Sequence, residues 1–303
     1  MIRVLHVESS VDSGGQEYRT MAEVAWLNAN GHEAWLACIP GSWLFKHGTA
    51  AKLPLVPLEM PSTRSPAAMW KLFQIVRELN CDVVHVHGSV GAWTAAPLRL
   101  LGIPIVRSRH ITNRLRRGFF RTFSYRYACN HLIPTAEFTR EQFIRESGIP
   151  AKHMTVVGEG VDLSRFNRNV DGASFRTLWG ARSEDIVFGC AAMLRMQKGQ
   201  KVLIDAAEHV LKKVPNARFV LVGDNTDPAR LTDPAGAEIR AKYRKIIQDK
   251  FGYDAWRPGN DCIFLSANAP ILMHGHEPNI AQATAAFDIV VIPSLEEAQS
   301  RTA

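Results

Sequence analysis

The sequence has 303 residues, 46% hydrophobic and 21% charged, which is typical of a globular protein long enough for two domains. No apolar run approaches the ~20 residues of a membrane-spanning helix, and the first residues lead directly into an apolar strand pattern rather than a signal peptide. The five cysteines are scattered without a C-x-x-C pair, which predicts reduced thiols in a cytoplasmic protein.

Short runs rich in Val, Ile and Leu alternate with helical patterns along the whole chain. Runs predicted as strands cover 2–8, 33–38, 54–58, 82–86, 104–107, 130–134, 154–158, 186–191, 217–222, 262–265 and 288–292. The clearest predicted helices cover 16–30, 66–79, 199–213 and 236–251. Strands that are apolar on both faces and alternate with helices favour an α/β fold of doubly wound parallel sheets. A stretch without periodicity near 160–175 divides the chain into predicted domains at 1–165 and 166–303.

The loop after the first predicted strand contains Gly14 and Gly15, which open a helix. Adjacent glycines let the backbone approach a ligand closely, and the free N–H groups of a helix start suit a phosphate. The pattern is not G-x-G-x-x-G and does not indicate a dinucleotide site. An ordinary turn is the alternative.

Histidines follow one another near the ends of two predicted strands. His85 and His87 share one side of the strand at 82–86, and His110 comes just after the next strand. Because the carboxyl ends of parallel strands meet at one edge of a sheet, His87 and His110 are predicted to converge there. Buried structural histidines are the alternative. No metal is expected, because no carboxylate or cysteine follows the pair at ligand spacing.

The segment 107–126 holds seven arginines, no acidic residue and four aromatic side chains. The first 150 residues carry +6 of the net charge of +7. A basic, aromatic helix of this kind can lie on an anionic membrane or hold a lipid phosphate. Nucleic-acid binding and a solvated basic face with its aromatic residues in the core are the alternatives.

Two cations precede the predicted helix at 199–213. Arg195 and Lys198 lie in the loop after the first strand of the second half. Helix N-termini attract anions rather than cations, so two cations at this place indicate a bound anion such as a diphosphate.

Residues 288–303 read as a buried strand, a Pro-Ser turn and an acidic residue that starts a helix. A carboxylate presented at a helix start after a strand is typical of ligand sites in α/β proteins. The sequence stops at Ala303 before that helix can form, so we expect the site to be incomplete.

These motifs, in this order, resemble those of glycosyltransferase family 4, the retaining enzymes of GT-B fold. The matching segments are SGGQEYR, DVVHVHG, RSRH, GEGVDLSRF, LRMQKG, FVLVGD, HGHEPNI and FDIVVIPSLEEA. Variants in the first loop and in the KG loop are similar to those of members that build lipopolysaccharide or other cell-surface glycans. The resemblance implies two Rossmann-like domains that face a cleft. The first would bind the acceptor, and the second, incomplete here, the nucleotide sugar.

The resemblance also implies roles for individual residues. Gly14 and Gly15 would approach the donor phosphates, and His110 would lie near the transferred sugar. Arg195 and Lys198 would hold the diphosphate, and the loop at Gly275 and His276 would border the nucleobase. Glu297, the first glutamate of an E-x7-E motif, would contact the donor sugar. The residues predicted to meet the acceptor or membrane are Arg114, Arg116, Arg117, Phe119 and Phe120.

Three positions depart from the family pattern. Met193 stands where the family usually has an arginine, so Arg195 would substitute for it. Glu159 replaces the usual asparagine at the crossover, and the second glutamate of E-x7-E would fall beyond Ala303.

The expected function is retaining transfer of a sugar from a nucleoside-diphosphate sugar to a lipid-linked or lipopolysaccharide-type glycan. The resemblance implies that the reaction needs neither a metal nor another cofactor. We expect a cytoplasmic protein, peripheral at the inner face of the membrane, that binds no nucleic acid. The alternatives are a GT-B-like sugar-nucleotide 2-epimerase and an inactive fragment that binds nucleotide or membrane.

Overall fold

The computed structural model describes residues 1–11, 14–110, 119–224, 234–257 and 269–295. The chain divides into two compact units, Met1–Gly160 and Val161–Ala303. In the first unit the elements are β1 Arg3–Glu8, α1 Gly15–Ala29, β2 Glu33–Cys38, α2 Trp43–Ala50, β3 Leu55–Pro57, α3 Pro66–Glu78, β4 Val83–Val86, α4 Ser89–Ala95, β5 Ile105–Arg109, α5 Phe119–Arg126, β6 His131–Pro134 and α6 Glu137–Ser147. In the second they are α7 Ala173–Trp179, β7 Ile186–Ala191, α8 Gln200–Leu211, β8 Ala217–Val222, α9 Pro234–Phe251, β9 Ile271–Gly275, α10 Ile280–Ala285 and β10 Ile289–Val290.

The described strands of the first unit form a six-stranded parallel sheet in the order β3-β2-β1-β4-β5-β6. The chain builds outward from β1 in one direction and then returns to build outward from β4 in the other. The strand order therefore reverses between β1 and β4, which is where open α/β sheets bind ligands beyond the carboxyl ends of their strands.

The described strands of the second unit form a parallel sheet in the order β10-β7-β8-β9. Every residue of β8 is buried, as expected for a strand covered by helices on both faces. Its one charged side chain, Arg218, lies 3.2 Å from the buried carboxylate of Asp185, so neither charge is buried without a partner.

Local sequence explains where two of the helices begin and end. Ser65 caps α3 by accepting a hydrogen bond from the amide of Ala68, and Pro66 occupies the first helical position. Helix α1 ends at Asn30 and Gly31, and Gly31 has a positive φ of 79° that glycine adopts at little cost.

Most predicted strands in the described residues lie within two residues of their predicted bounds, but there are two differences. Residues 154–158 are not a strand. Met154 forms a single bridge to Leu132, and the backbone that follows runs beside β6, with amides of Thr155 and Val157 donating to carbonyls of that strand. Strand β9 was not predicted at all. The predicted strand 262–265 lies outside the described residues.

The predicted burial of the strand at 288–292 is wrong. Strand β10 has only two residues, and Ile289 and Val290 are 43% and 45% exposed. Among the described strands, β10 pairs only with β7, so its side chains do not have the double coverage that a strand between two neighbours receives here.

Candidate functional site

Three histidines lie on one face of the first sheet at the point where the strand order reverses. His6 on β1 pairs in register with His85 on β4, and His87 follows two residues later on the same side. All three side chains are buried. His6 Nδ1 lies 3.0 Å from His87 Nε2, and the His85 ring lies 4.2 Å from the His87 ring. Burial lowers the pKa of His6 to about 3 and those of His85 and His87 well below their ordinary value, which favours the neutral form of each ring.

The helix that covers this face contributes charged rather than apolar side chains. Arg19 and Glu23 are one turn apart on α1, with Arg19 Nε 2.6 Å from Glu23 Oε1. The other carboxylate oxygen, Glu23 Oε2, lies 3.8 Å from His6 Nδ1 and 3.7 Å from His85 Nδ1. Polar groups at a helix–sheet interface, where apolar packing is the norm, indicate a function beyond stability.

The same network reaches His110, which the sequence predicts to be in the site. His87 Nδ1 lies 3.3 Å from His110 Nε2, which confirms the predicted convergence of these two rings beyond adjacent strands. On its other side, His110 Nδ1 lies 3.8 Å from Glu159 Oε1. His110 therefore lies between an imidazole and a carboxylate, but its Nδ1 is buried without a hydrogen-bond partner in the described structure.

Glu159, a departure from the family pattern, is part of this site. Its carboxylate lies 3.3 Å from Arg19 Nη1, and Arg19 also donates to the carbonyl oxygen of Val157. Burial would raise the pKa of Glu159, but His110 and Arg19 outweigh this effect and hold the pKa below its ordinary value. Sequence reasoning missed the roles of His6, Arg19 and Glu23. A histidine inside the apolar run of β1 was the available signal for the first of them.

A second buried acid lies at the end of β1. Glu8 accepts hydrogen bonds from the amide of Ser10 and the side chain of Gln16. Burial raises its pKa to about 7, and the nearby charge of Glu17 acts in the same direction. Helix α1 starts beside these acids, with Gly14 as its extended N-cap and Gly15 as its first residue. A phosphate at this helix start would therefore meet Glu8 and Glu17, and the predicted role of the two glycines stays a prediction.

The raised pKa of Glu8 makes stability depend on pH. The folded chain binds this proton more tightly than the unfolded chain, whose carboxyl titrates near 4.5. The resulting stabilisation is complete below about pH 4.5 and is lost as the pH rises through about 7. We expect Glu8→Gln, which stays neutral, to gain up to about 3 kcal/mol over the original chain between pH 5 and pH 8. Urea unfolding at several pH values measures this gain. Glu59→Gln, at an exposed site, should show no such trend, and parallel pH profiles for Glu8→Gln and the original chain would contradict the prediction.

The second unit gathers its predicted site residues along the carboxyl edge of its sheet. The loop after β7 carries Arg195, whose side chain is exposed, and Lys198, which ends a short 3-10 turn. Two contacts hold the loop: Gln200 Nε2 donates to the carbonyl of Met193 at 2.8 Å, and the amide of Leu295 donates to the carbonyl of Gln197. The two cations therefore lie on a fixed backbone beside the start of α8.

The loop after β9 lies two strands further along the same edge. Gly275 ends β9 with a positive φ of 86°, and its carbonyl accepts from the amide of Gly223 at 2.6 Å. His276 is exposed, whereas the preceding His274 is buried between Trp179 and Glu277. Between the two loops, Asp224 is paired with Arg240 at 2.7 Å. The edge thus presents exposed cationic and imidazole side chains from the ends of β7 and β9.

Several predicted site residues cannot be placed. Glu297, Arg114, Arg116 and Arg117 lie outside the described residues, and the side chains of Phe119 and Phe120, which open α5, are not described either.

The basic segment 107–126 is not one helix. Its first residues belong to β5, where Arg107 is buried with its guanidinium 3.7 Å from the centre of the Tyr125 ring. Arg109 donates to the hydroxyl of Tyr125 at 2.8 Å. These two arginines hold α5 against the sheet through a core tyrosine, so a membrane surface would depend on the remaining arginines. Within the described part of the chain, no helix is long and apolar enough to cross a bilayer.

The fold is that of the GT-B glycosyltransferases. A glycosyltransferase structure from Rickettsia africae matches 99% of the chain and 75% of its own length, with a TM-score of 0.79 and 18% identity. The Anabaena protein Alr3699/HepE in complex with UDP-glucose matches 97% of the chain and 74% of its own, with a TM-score of 0.70 and 18% identity. The chain belongs to glycosyltransferase family 4, whose model matches residues 13–165.

Two curated proteins also resemble the chain in sequence. The putative glycosyltransferase EpsD of Bacillus subtilis is 25% identical over 57% of the chain, and the alpha-monoglucosyldiacylglycerol synthase of Acholeplasma laidlawii is 23% identical over 72%. The matched regions cover 51% and 61% of those two proteins. The chain thus spans between about half and three fifths of the length of these relatives.

Proposed function

We propose that this chain transfers a sugar from a nucleoside-diphosphate sugar to a glycan or glycolipid acceptor with retention of configuration. The observation that carries the proposal is the carboxyl edge of the second sheet, where Arg195 and Lys198 lie beside the start of α8. Membership of glycosyltransferase family 4 and the likeness to a fold solved with UDP-glucose support the same function.

The proposed chemistry assigns the leaving group to the two cations. As the glycosidic bond breaks, negative charge builds up on the departing diphosphate, and a preorganised Arg and Lys stabilise it without moving. The N-terminus of α8 adds the partial positive charge of its free amides. We propose that this step needs no metal, because the charge is met by side chains and helix.

The proposed role of His110 is contact with the transferred sugar. Its buried ring lies between His87 and Glu159, which restricts its orientation and reduces the side-chain entropy that would be lost when a ligand binds. We propose that Glu297 contacts the sugar and that Gly275 and His276 border the nucleobase.

A panel of nucleoside-diphosphate sugars tests the proposal, with nucleotide release measured in the presence and absence of candidate acceptors. We expect release that depends on an acceptor, together with a glycosylated product of retained configuration. Release of nucleotide and an epimerised free sugar without acceptor would indicate the 2-epimerase. Nucleotide binding without turnover by any donor would indicate a chain that only binds.

For the acceptor we propose a membrane glycolipid or lipid-linked glycan, and for the protein a peripheral position at the inner face of the membrane. The support is the excess of arginine at 107–126 and the similarity to a diacylglycerol glycolipid synthase. Nucleic acid is not proposed as a partner.

We predict salt-sensitive binding of the chain to anionic vesicles, at about 1 kcal/mol for each basic residue that reaches the surface. Replacing Arg114, Arg116 and Arg117 by glutamate should abolish sedimentation with the vesicles. The matched control reverses three exposed charges elsewhere in the first unit, Arg64, Lys71 and Arg77. Equal sedimentation of both triple variants, or none by the original chain, would leave the solvated basic face as the better interpretation.

A further inference from the structure

The histidine face of the first sheet contains four side chains with the composition of a metal site. One ligand atom from each of His6, Glu23, His85 and His87 lies within 4.8 Å of every other. They come from β1, α1 and β4, so no spacing along the sequence would have shown the group. The residues that follow His85 and His87 in the sequence include no carboxylate or cysteine at ligand spacing, which is why no metal was expected.

The distances between these atoms suit a tetrahedral ion. A zinc ion bonded at 2.0–2.1 Å separates neighbouring ligand atoms by about 3.3 Å. The measured separations are 3.0 Å from His6 Nδ1 to His87 Nε2, 3.8 Å from His6 Nδ1 to Glu23 Oε2, and 3.7 Å from His85 Nδ1 to Glu23 Oε2. These three separations lie within about half an ångström of that value. All the ligand atoms lie within 4.8 Å of one another, so an ion would draw the widest pairs inward.

The hydrogen bonding of the cluster is incomplete without an ion. Glu23 Oε2 is buried and has no hydrogen-bond partner among the described residues, although it faces two imidazole nitrogens. Each of the three rings presents a nitrogen to the cluster, and a neutral imidazole offers a lone pair there but no positive charge for the carboxylate. A bound cation would meet the lone pairs and the carboxylate together.

The outer ring of partners is also that of a metal site. Ligating histidines usually donate their second nitrogen to a polar group, which fixes the ring. His85 Nε2 lies 2.8 Å from Ser108 Oγ, and His87 Nδ1 lies 3.3 Å from His110 Nε2. Arg19 holds the second oxygen of Glu23. Of the three histidines, only His6 has a non-ligating nitrogen, Nε2, that lacks a hydrogen-bond partner in the described structure.

We propose that His6, Glu23, His85 and His87 bind one divalent transition-metal ion, with Zn²⁺ as the preferred occupant. Three imidazoles and one carboxylate in a buried four-coordinate arrangement suit Zn²⁺ better than Mg²⁺ or Ca²⁺, which prefer oxygen ligands and higher coordination numbers. Protein side chains occupy all four coordination positions of the ion. The ion therefore joins β1, β4 and α1 and has no open position for a substrate. The proposal does not depend on sugar transfer and concerns a place other than the diphosphate loop.

The test uses the untagged 303-residue chain, stripped with a chelator and titrated with Zn²⁺ against a chromophoric chelator. We expect one Zn²⁺ per chain and a rise in melting temperature on binding. Glu23→Gln, which nearly keeps side-chain volume, and His85→Asn, which keeps a polar side chain, should each weaken binding at least tenfold, since even partners outside the ligand shell contribute about 10- to 100-fold. His153→Gln, at an exposed histidine of the same unit, is the matched control and should bind as the original chain does.

Substitution with Co²⁺ makes the test independent of whether the variants fold. Co²⁺ bound to the original chain should give the intense visible absorption of a four-coordinate site, displaced by one equivalent of Zn²⁺. The weak spectrum of six-coordinate Co²⁺, no stoichiometric binding by the original chain, or unchanged affinity in folded Glu23→Gln and His85→Asn would each overturn the proposal.

Discussion

Replacing Arg195 or Lys198 by alanine is expected to lower kcat/KM for turnover of the nucleotide sugar. Each change should cost about 2–4 kcal/mol of transition-state stabilisation. The reason is that each variant removes one preorganised positive charge from the loop where the leaving diphosphate is proposed to bind. The loss should appear mainly in kcat, because charge on the diphosphate is greatest in the transition state. Steady-state nucleotide release measures both constants.

Lys201→Ala is the matched control for this pair. Lys201 lies in the first turn of α8 and is exposed, but its ammonium is paired with Asp205 at 2.5 Å. Its removal should change turnover little, since an exposed pair of this kind contributes about 0–1 kcal/mol. Turnover within about threefold of the original in both Arg195→Ala and Lys198→Ala would mean that the diphosphate binds elsewhere.

Gly199→Ala should strongly destabilise the second unit. Gly199 lies between the loop of Arg195 and Lys198 and helix α8, and its φ is +67°. An added Cβ there would lie 1.9 Å from the carbonyl oxygen of Pro293. The left-handed backbone alone costs a non-glycine residue roughly 1–2 kcal/mol. Forcing the two loops apart adds a further cost of roughly 1–3 kcal/mol. Urea unfolding, followed by the tryptophans of the second unit, should therefore show a loss of at least about 2 kcal/mol.

Gly252→Ala separates the two contributions. Gly252 has a similar φ of +79°, but nothing lies within 4 Å of the position of its added Cβ. It should show the cost of the backbone conformation without the collision. Equal losses for Gly199→Ala and Gly252→Ala would show that the approach of Pro293 contributes nothing. Turnover should fall only in Gly199→Ala, because only that change displaces Arg195 and Lys198.

The sheets could be predicted because their signal is local. An apolar run such as that of β8 is buried on both faces, and its composition alone marks it. Strand β10 is equally apolar but has one neighbour among the described strands, and the number of neighbours depends on pairings that its own residues do not encode. The stretch after Met154 looks like a strand for the same reason, yet it lies beside β6 with a single bridge.

The site could be predicted from the sequence only for residues that follow neighbouring strands of the sheet. His87 and His110 end consecutive strands of the sheet, so the rule for parallel strands was enough to bring them together. Glu23 and His6 reach the same place through the packing of α1 and the pairing of β1 with β4. Those contacts join residues that are far apart along the chain, and a sequence contains no direct measure of such distances.

Helix α7 has some of its hydrogen-bond and packing partners at the other end of its unit. Arg176 donates to the carbonyl oxygen of Ala286, 110 residues further along the chain, and the backbone there leaves no room for a side chain at Gly172. At a synthesis rate of about 5–20 residues per second, a ribosome needs roughly 5–20 s to make that partner after it has made α7. During this interval Phe175 and Trp179, both buried in the finished fold, have no completed core to enter. The core around α7 is therefore completed only after this interval, whereas β1–β6 of the first unit have already been made.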